Sequence, residues 1–270
     1  KMPDIRQSRQ YADYLSRIGW TVERINNTNY FIRKLLLIGS VLKIQRPGVL
    51  RYKDIEILNK KYKTFQIIVE PGTIADGQWL MANGFKLSIS PYLPTKTLHL
   101  DLSVSKQKLF NNLKKDAKYA IKRTIKLRTK EIKNMEKFRN SWKKTVGWKR
   151  YVPPSTHLVA LQKSFQENSL FILDEKINSG AIFLKTKDTV CYWQAFTGKE
   201  GRNNLVQYQI VWKGILWAKK KGAKIFDFEG IYDERFPNKS WFGFTHFKKS
   251  FGGYEIEYPG CYTKWLLPSK

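Results

Sequence analysis

The chain of 270 residues combines a large charge imbalance with enough apolar side chains to build a folded core. Hydrophobic residues make up 42% and aromatic residues 14% of the sequence, which excludes global disorder. Fifty Lys and Arg against 22 Asp and Glu give a formal net charge of +28, an excess that polyanions neutralise. We therefore expect nucleic acid, anionic lipid head groups or phosphorylated substrates as partners.

Short helices and strands alternate in the first hundred residues. The apolar pattern predicts an amphipathic helix over residues 7–18 and a second helix over residues 55–62. Short β-branched and apolar runs predict strands at residues 21–25, 30–37, 41–45 and 65–69. This alternation favours an α/β or α+β fold.

A strongly basic helix is predicted over residues 105–126, with apolar residues on one stripe at three- and four-residue steps. Residues 101–150 contain 17 Lys and Arg against four Asp and Glu, so the positive charge is localised. A solvated helix face is the alternative interpretation, but a block of this size favours contact with a polyanion. The candidate contact residues are Lys114, Lys115, Lys118, Lys122, Arg123 and Lys126.

The second half predicts helices at residues 138–146 and 156–165, then three strands between residues 170 and 195. A long helix over residues 205–221 and a strand over residues 224–229 follow. This order of elements is that of the GNAT acyltransferase fold, and we interpret the first half as a degenerate copy. The predicted fold class is therefore α/β (α+β), with two tandem GNAT-like domains whose mixed, twisted sheets are flanked by helices.

The sequence lacks the motifs of several common metal sites and enzyme active sites. Cys191 and Cys261 show no metal-binding spacing, so neither a disulfide framework nor a zinc site is expected, and a reducing cytoplasm is the expected setting. HExxH, GxSxG and P-loop motifs are absent from the sequence. The longest apolar runs, such as residues 35–38, are far shorter than the ~20 residues that span a bilayer.

Acyl-CoA enzymes of the GNAT fold hold the pyrophosphate with a loop of the pattern Q/R-x-x-G-x-G/A at a helix N-terminus. The corresponding stretch, TGKEGRNN at residues 197–204, contains glycines but lacks both ends of that pattern. Acyl-CoA is therefore disfavoured as a donor. Arg202 in this stretch is a candidate for binding a phosphate or carboxylate, with an exposed turn arginine as the alternative.

The C-terminal motifs resemble those of the FemA/FemB/FemX peptidyltransferases. These motifs are WKGILWAKKKG at residues 212–222, FDFEGI at 226–231, FKKSFGG at 247–253 and YPG at 258–260, with upstream support from IQRP at 44–47. Gln45 replaces the usual Pro of the family and Glu229 its usual Gly. No stretch is long enough for the helical coiled-coil arm, so the chain is similar to the smaller, FemX-like form.

The resemblance implies a first GNAT-like domain at residues 1–127, completed by a C-terminal strand at about 256–270, and a second at residues 128–255. It implies transfer of an amino acid from aminoacyl-tRNA to the side-chain amine of a peptidoglycan precursor, a UDP-linked or lipid-linked muropeptide. No cofactor and no metal are expected. The protein is expected to be a cytoplasmic monomer that contacts the inner face of the membrane peripherally.

The same resemblance assigns the catalytic role to Lys248, in the Phe247-Lys248 pair, as the cation that stabilises the oxyanion of the tetrahedral intermediate. Arg46, Arg202 and Tyr208 are the candidates for binding the cell-wall precursor, since phosphates and carboxylates favour Arg and a sugar or uracil ring favours an aromatic side chain. Tyr208 also fits the buried stripe of its helix.

Proton removal from the attacking amine is assigned to no residue. Asp227 and Glu229 offer carboxylates near the end of a strand, where acids are usually structural, and groups of the substrate are an alternative acceptor.

Two other functions remain open from the sequence. One is a GNAT-type N-acyltransferase that uses acyl-CoA, which the order of elements favours. The other is a non-catalytic protein that binds RNA or a membrane surface, which the charge alone favours.

Overall fold

The computed structural model of the chain describes residues 4–36, 38–124 and 129–266. It divides into two compact units, which we call the first unit (Lys1–Lys96, Asp233–Asn238 and Glu257–Lys270) and the second unit (Thr97–Tyr232 and Lys239–Ile256). Within the described ranges, no helix has the length and apolar character that crossing a membrane requires.

Strands and helices alternate along both units. The described strands are β1 Thr21–Ile25, β2 Thr28–Leu35, β3 Gly39–Gln45, β4 Thr64–Glu70, β5 Lys86–Leu87, β6 Lys96–Asp101, β7 Lys130–Glu131, β8 Ser169–Asp174, β9 Ser179–Thr186, β10 Thr189–Thr197, β11 Ile225–Asp227, β12 Tyr254–Glu257 and β13 Tyr262–Trp265. The described α-helices are α1 Arg9–Arg17, α2 Tyr52–Tyr62, α3 Ile74–Ala82, α4 Lys106–Asn111, α5 Lys115–Thr124, α6 Met135–Val146, α7 Ser155–Phe165, α8 Lys199–Asn203, α9 Val206–Lys220 and α10 Phe242–Lys249.

Polar residues at the N-cap fix where several helices begin. Ser8, Thr73, Ser105 and Asn134 precede α1, α3, α4 and α6, and each side chain accepts a hydrogen bond from the backbone N–H three residues later. Each cap satisfies one of the amide donors that a helix leaves without a partner in its first turn.

The first unit contains a sheet of strand order β1-β2-β3-β4-β13-β5. β3 and β4 run parallel, whereas β13 pairs antiparallel with both β4 and β5. Alternate residues of β2, including Tyr30 and Ile32, pack in one core with Ile55 and Leu58 of α2. The C-terminal strand is therefore part of the sheet that the first residues of the chain build.

The second unit contains a sheet of strand order β12-β6-β11-β10-β9-β8-β7. β10 and β11 run parallel, and β9 and β8 follow antiparallel. Helix α9 packs against this sheet through Gly214, where a Cβ atom would overlap the ring of Phe183. The glycine thus permits close contact between helix and sheet.

The predicted fold class is confirmed: both units have a mixed sheet with helices. The predicted order of helices and strands between residues 135 and 227 is observed as α6, α7, β8, β9, β10, α9 and β11, with the short α8 added before α9. The predicted boundary at residues 127 and 128 differs from the division at residues 96 and 97. The segment between them belongs to the second unit because β6 pairs with β11 and α5 packs in the second core.

The prediction of one basic helix over residues 105–126 is wrong, because the structure has two helices, α4 and α5, separated at residues 112–114. The amide of Lys114 donates to the Ser250 carbonyl oxygen (2.9 Å) instead of continuing the helix, while Leu113 stays buried in the core. The apolar stripe is therefore real, but a tertiary hydrogen bond interrupts the helix that carries it. Residues 125 and 126 lie outside the described residues.

The backbone after β11 turns through a left-handed residue, Glu229, whose φ is 65°. One Asp227 carboxylate oxygen accepts from the Glu229 amide (2.7 Å) and from the Thr97 hydroxyl, and this holds the turn. A left-handed conformation costs an L-residue about 1–2 kcal/mol, whereas glycine adopts it freely. A glycine, which the resemblance leads us to expect at this position, would avoid that cost.

Replacing Glu229 with Gly or with Ala should separate this backbone strain from the loss of the carboxylate, which both variants share. We expect Glu229→Gly to be more stable than Glu229→Ala by about 1 kcal/mol, because only the glycine relieves the left-handed strain. Urea denaturation followed by circular dichroism measures the difference.

Glu56, exposed in helix α2, provides the control for that comparison. There the order should reverse, with Ala more stable than Gly by about 1 kcal/mol, because glycine weakens a helix interior. Equal stability of Glu229→Gly and Glu229→Ala would show that residue 229 is not strained.

Candidate active site

Lys248 is a buried cation held by the backbone. It lies in helix α10 and is 9% exposed. Its Nζ donates to the carbonyl oxygens of Phe228 (2.7 Å) and Gly230 (2.5 Å). Because the left-handed residue 229 lies between them, both carbonyls can face one ammonium. An ammonium has three N–H donors, and these two bonds use two of them.

The ammonium lies where two paired strands of the second sheet diverge. β10 and β11 pair through Cys191 and Asp227, after which β11 ends and β10 continues to Thr197. β10 has a bulge between Tyr192 and Gln194 at this point. The Lys248 Nζ lies 5.7 Å from the centroid of the Tyr192 ring, so it faces the bulged strand as well as the end of β11.

A hydrogen-bonded chain fixes the Tyr192 side chain. Its hydroxyl accepts from Gln207 Nε2 (2.6 Å), and Gln207 Oε1 accepts from the Thr197 hydroxyl (2.8 Å). Gln207 is in the first turn of α9, and Tyr192 and Thr197 are both in β10. Burial raises the pKa of Tyr192, which keeps the phenol protonated.

Burial lowers the pKa of Lys248 to about 8, and the negative charges of Glu229 and Asp227 oppose that shift. The side chain is therefore mainly an ammonium at neutral pH, within reach of deprotonation. A buried cation near its pKa can hydrogen-bond to a developing negative charge without the competition of bulk water.

The two carboxylates near Lys248 have different surroundings. Asp227 positions the turn after β11 through the Glu229 amide and Thr97, and its other oxygen lies 3.3 Å from His99 Nε2. Glu229 is a buried residue on the turn itself. We therefore regard Asp227 as a positioning residue and assign no general base.

Cys191, Asp227 and Glu229 bring one thiol and two carboxylates to within 4.8 Å of one another, the arrangement in the described residues that most resembles a metal site. One Asp227 oxygen already accepts two hydrogen bonds. The negative charges of Asp227 and Glu229 both stabilise the charged form of Lys248. A metal cation here would face that positive charge, so we assign these residues to the electrostatics of Lys248.

Phe247 and Tyr208 lie together against the second core. Their ring centroids are 4.8 Å apart in an edge-to-face arrangement, and Tyr208 also stacks on Phe251 at 5.7 Å. Both side chains are half-buried against the second core. Burial, followed by the negative charge of Asp116, raises the pKa of Tyr208. The structure thus brings Lys248, Phe247 and Tyr208 into one unit, joined by α9 and α10.

The two arginine candidates have different environments. Arg202 is exposed in α8, and its Nη1 donates to the Thr197 carbonyl oxygen (2.6 Å). Arg46 is buried in the first unit, where it pairs with Asp4 (3.0 Å), donates to the Pro94 carbonyl oxygen (2.6 Å) and stacks over Tyr258. Arg46 therefore has an evident structural role, and its role in substrate binding stays a prediction.

The basic residues of the second unit are mostly at its surface. Lys118 is half-buried, and its Nζ donates to the Asn111 carbonyl oxygen (2.7 Å), which joins α5 to the end of α4. Lys126 lies outside the described residues. The exposed members of the predicted contact set are Lys114, Lys115, Lys122 and Arg123.

Sequence reasoning missed the residues that hold Lys248 in place. Its two hydrogen-bond acceptors, the carbonyl oxygens of Phe228 and Gly230, belong to the backbone, so the residue types at those positions do not reveal them. Tyr192 and Gln207 occupy an apolar strand and an apolar helix, where the pattern indicates only core. The replacement of a family glycine by Glu229 was the available signal, since such a glycine marks a special backbone conformation.

Residues 174–269 of the chain match the model of the FemAB family. A comparison with curated proteins finds no match. Among solved structures, a crystal structure of FemX superposes with a TM-score of 0.77 at 16% identity, over 97% of this chain and 92% of that chain. The structure of L-PGS from Bacillus licheniformis gives a TM-score of 0.59 at 12% identity, over 98% and 92%.

A tandem GNAT protein from the clavulanic acid biosynthesis pathway gives a TM-score of 0.54 at 9% identity, over 92% of this chain and 82% of that chain. These identities establish a shared fold. With the family match that covers the strands and helix around Lys248, they confirm the resemblance that the sequence motifs indicated: this chain is similar to the FemAB family over residues 174–269 and has a tandem GNAT-like fold.

Proposed function

We propose that this protein transfers an amino acid from aminoacyl-tRNA to the side-chain amine of a peptidoglycan precursor. The observation that carries the proposal is the buried ammonium of Lys248, held by two backbone carbonyls where β10 and β11 part. The match of residues 174–269 to the FemAB family supports it, because those residues include Lys248 and the turn that holds it.

The proposed reaction needs alignment and charge stabilisation. The acceptor amine attacks the ester carbonyl carbon, an amide bond forms, the ester C–O bond breaks, and the ribose hydroxyl of tRNA leaves with the proton that the amine loses. The ester is already activated, so the largest contribution expected of the protein is a donor for the oxyanion. The third N–H of Lys248 would provide it, since Phe228 and Gly230 use the other two.

Acyl-CoA as the donor has less support. In the segment after β10, the amides of Arg202, Asn204 and Leu205 donate to carbonyls of the same segment. Gly201 is packed so closely that an added Cβ would overlap the Ser179 hydroxyl. The segment also lacks both ends of the Q/R-x-x-G-x-G/A pattern that holds a pyrophosphate, so the alternative of an acyl-CoA-dependent transferase is disfavoured.

The exposed cations of α5, together with Lys114 just before it, form the proposed tRNA surface. They lie in the second unit, the unit that contains Lys248. Phosphate contacts need exposed Lys and Arg rather than a shaped pocket, and this segment supplies four of them.

Lys248→Ala should lower the transfer rate by about 10²–10³-fold, the usual effect of removing one oxyanion donor. The measurement is transfer of a labelled amino acid from a mixture of charged tRNAs to UDP-linked and lipid-linked muropeptides, with phosphatidylglycerol and an acetyl-CoA donor as separate arms.

Lys249→Ala is the matched control, because Lys249 is the next residue, is partly exposed and pairs with Glu255 at 2.5 Å. It should keep near wild-type activity. Equal rates for the two variants would contradict a catalytic role for Lys248. Transfer of acetyl groups, but of no amino acid, would contradict the proposed function.

Activity should fall as the pH rises through about 8, because the Lys248 ammonium, whose pKa burial lowers to that value, loses the proton that it donates. The rate falls rather than rises with pH because the ammonium form of Lys248 is the active one. The measurement is the single-turnover rate as a function of pH, in parallel with an NMR titration of the lysine ε-carbons.

The acceptor amine also titrates, so the wild-type rate should be divided by the rate of Lys248→Arg, whose guanidinium stays protonated at high pH. The ratio should decrease above the pKa of Lys248. The NMR signal that titrates near that value should be missing from Lys248→Met. A ratio independent of pH would contradict the protonated lysine as donor.

Neutralising the basic surface should weaken tRNA binding without affecting the site. We expect the triple variant Lys114→Gln, Lys115→Gln, Lys122→Gln to bind tRNA several-fold more weakly and to show a smaller dependence of affinity on salt concentration. Filter binding over a series of salt concentrations measures both.

The control replaces three other lysines of the second unit, Lys163, Lys176 and Lys220, which are exposed and lie outside the basic segment. An equal loss in both triple variants would show that only net charge matters. An unchanged salt dependence in the first variant would place the tRNA surface elsewhere.

A further inference from the structure

The connection between β2 and β3 exposes large aliphatic side chains. Leu36 is 95% exposed and Ile38 is 60% exposed, and Leu35 before them is 38% exposed. Leu37 lies outside the described residues. Trp265, at the end of β13, is 68% exposed. Scattered exposed apolar residues are ordinary, but neighbouring ones mark a contact surface.

The register of the first sheet places these residues at the same end of neighbouring strands. Leu35 at the end of β2 is opposite Gly39 at the start of β3. β4 begins beside β3, with Thr64 paired to Ser40, and β13 ends beside the start of β4, with Trp265 paired to Gln66. The rings of Trp265 and Phe65 are 6.0 Å apart. We call Leu35, Leu36, Ile38 and Trp265 the hairpin edge.

Exposed lysines lie next to the hairpin edge, on β2 and at the end of α2. Lys34 precedes it in β2, and the C-terminal end of α2 adjoins it, because the Ser40 hydroxyl donates to the Tyr62 carbonyl oxygen (2.8 Å) and the Ser40 amide donates to that of Lys63 (3.2 Å). Lys60 and Lys63, at that end of α2, are exposed. Glu23, an acidic residue near that end of α2, pairs with Lys61.

We propose that the hairpin edge inserts into the surface of an anionic lipid bilayer. Exposed aliphatic side chains gain by entering the acyl region, and tryptophan prefers the boundary between acyl chains and head groups. Lysines around them are attracted to anionic head groups. The apolar tip, the tryptophan and the neighbouring lysines thus match the acyl chains, the boundary region and the head groups of a membrane surface.

The chemistry favours a lipid surface over the other occupants. RNA offers phosphates and bases but no apolar layer for Leu36 and Ile38. A second copy of the chain would bring its own lysines, Lys34, Lys60 and Lys63, against these, so self-association at this edge would place like charges together. The proposal is independent of the proposed reaction, because it uses residues of the first unit that have no part in it.

The test is co-sedimentation of the full chain with vesicles of phosphatidylcholine containing about a third phosphatidylglycerol. The double variant Leu36→Ser, Ile38→Ser should bind these vesicles at least about tenfold more weakly, because two aliphatic side chains no longer enter the bilayer. Ile89→Ser is the matched control. Ile89 is 93% exposed, and it follows β5, which pairs with the start of β13, at the opposite end of the sheet from Trp265.

The charge component is tested by Lys34→Gln with Lys63→Gln, against Lys163→Gln with Lys176→Gln in the second unit. The first pair should reduce binding several-fold and the second pair should not, although both remove the same charge. Vesicles of phosphatidylcholine alone should bind the wild type weakly. Circular dichroism verifies that each variant is folded.

Equal vesicle binding by wild type and Leu36→Ser, Ile38→Ser would overturn the proposal. It would also be overturned if that variant changed a dimer into a monomer in sedimentation velocity, or lost tRNA affinity in the absence of vesicles. Because the hairpin edge includes none of the residues proposed for the reaction, a failure here would leave muropeptide transfer in solution unchanged, and the two proposals are judged separately.

Discussion

The hydrogen bonds from the Lys248 ammonium to the carbonyls of Phe228 and Gly230 are the interaction on which the candidate site depends. A buried charge without partners is strongly unfavourable, so these two acceptors make the position tolerable. They face the ammonium because Glu229 between them is left-handed, and the Asp227 carboxylate holds that turn. The site is thus built by the backbone as much as by side chains.

The positive charge of the protein is distributed over surfaces with different chemistry. In the second unit, the exposed cations around α5 lie beside the exposed ring of Tyr119 and suit a phosphate backbone. In the first unit, the lysines near the end of α2 adjoin exposed aliphatic side chains and suit a lipid surface. Net charge indicates polyanions in general, and the neighbours of each cation distinguish between them.

The packing also explains which features the sequence could not show. The predicted helix over residues 105–126 follows a genuine apolar stripe, but the amide of Lys114 bonds to Ser250 in the C-terminal part of the chain and divides it. Arg46 has the residue type of a phosphate ligand, yet Asp4 and Tyr258 surround it. In both cases the deciding partner is distant in sequence.

The sequence by itself determined the fold class, the order of helices and strands from residue 135 to 227, and the resemblance that leads to Lys248. Those features follow from local periodicity and from motifs whose residues lie close together in the chain. Only the tertiary structure decided that Lys248 is buried with a lowered pKa, that Glu229 is strained and that Leu36 and Ile38 form an exposed edge. Burial and backbone hydrogen bonding arise from contacts between distant segments, and these leave no periodic pattern in the residues themselves.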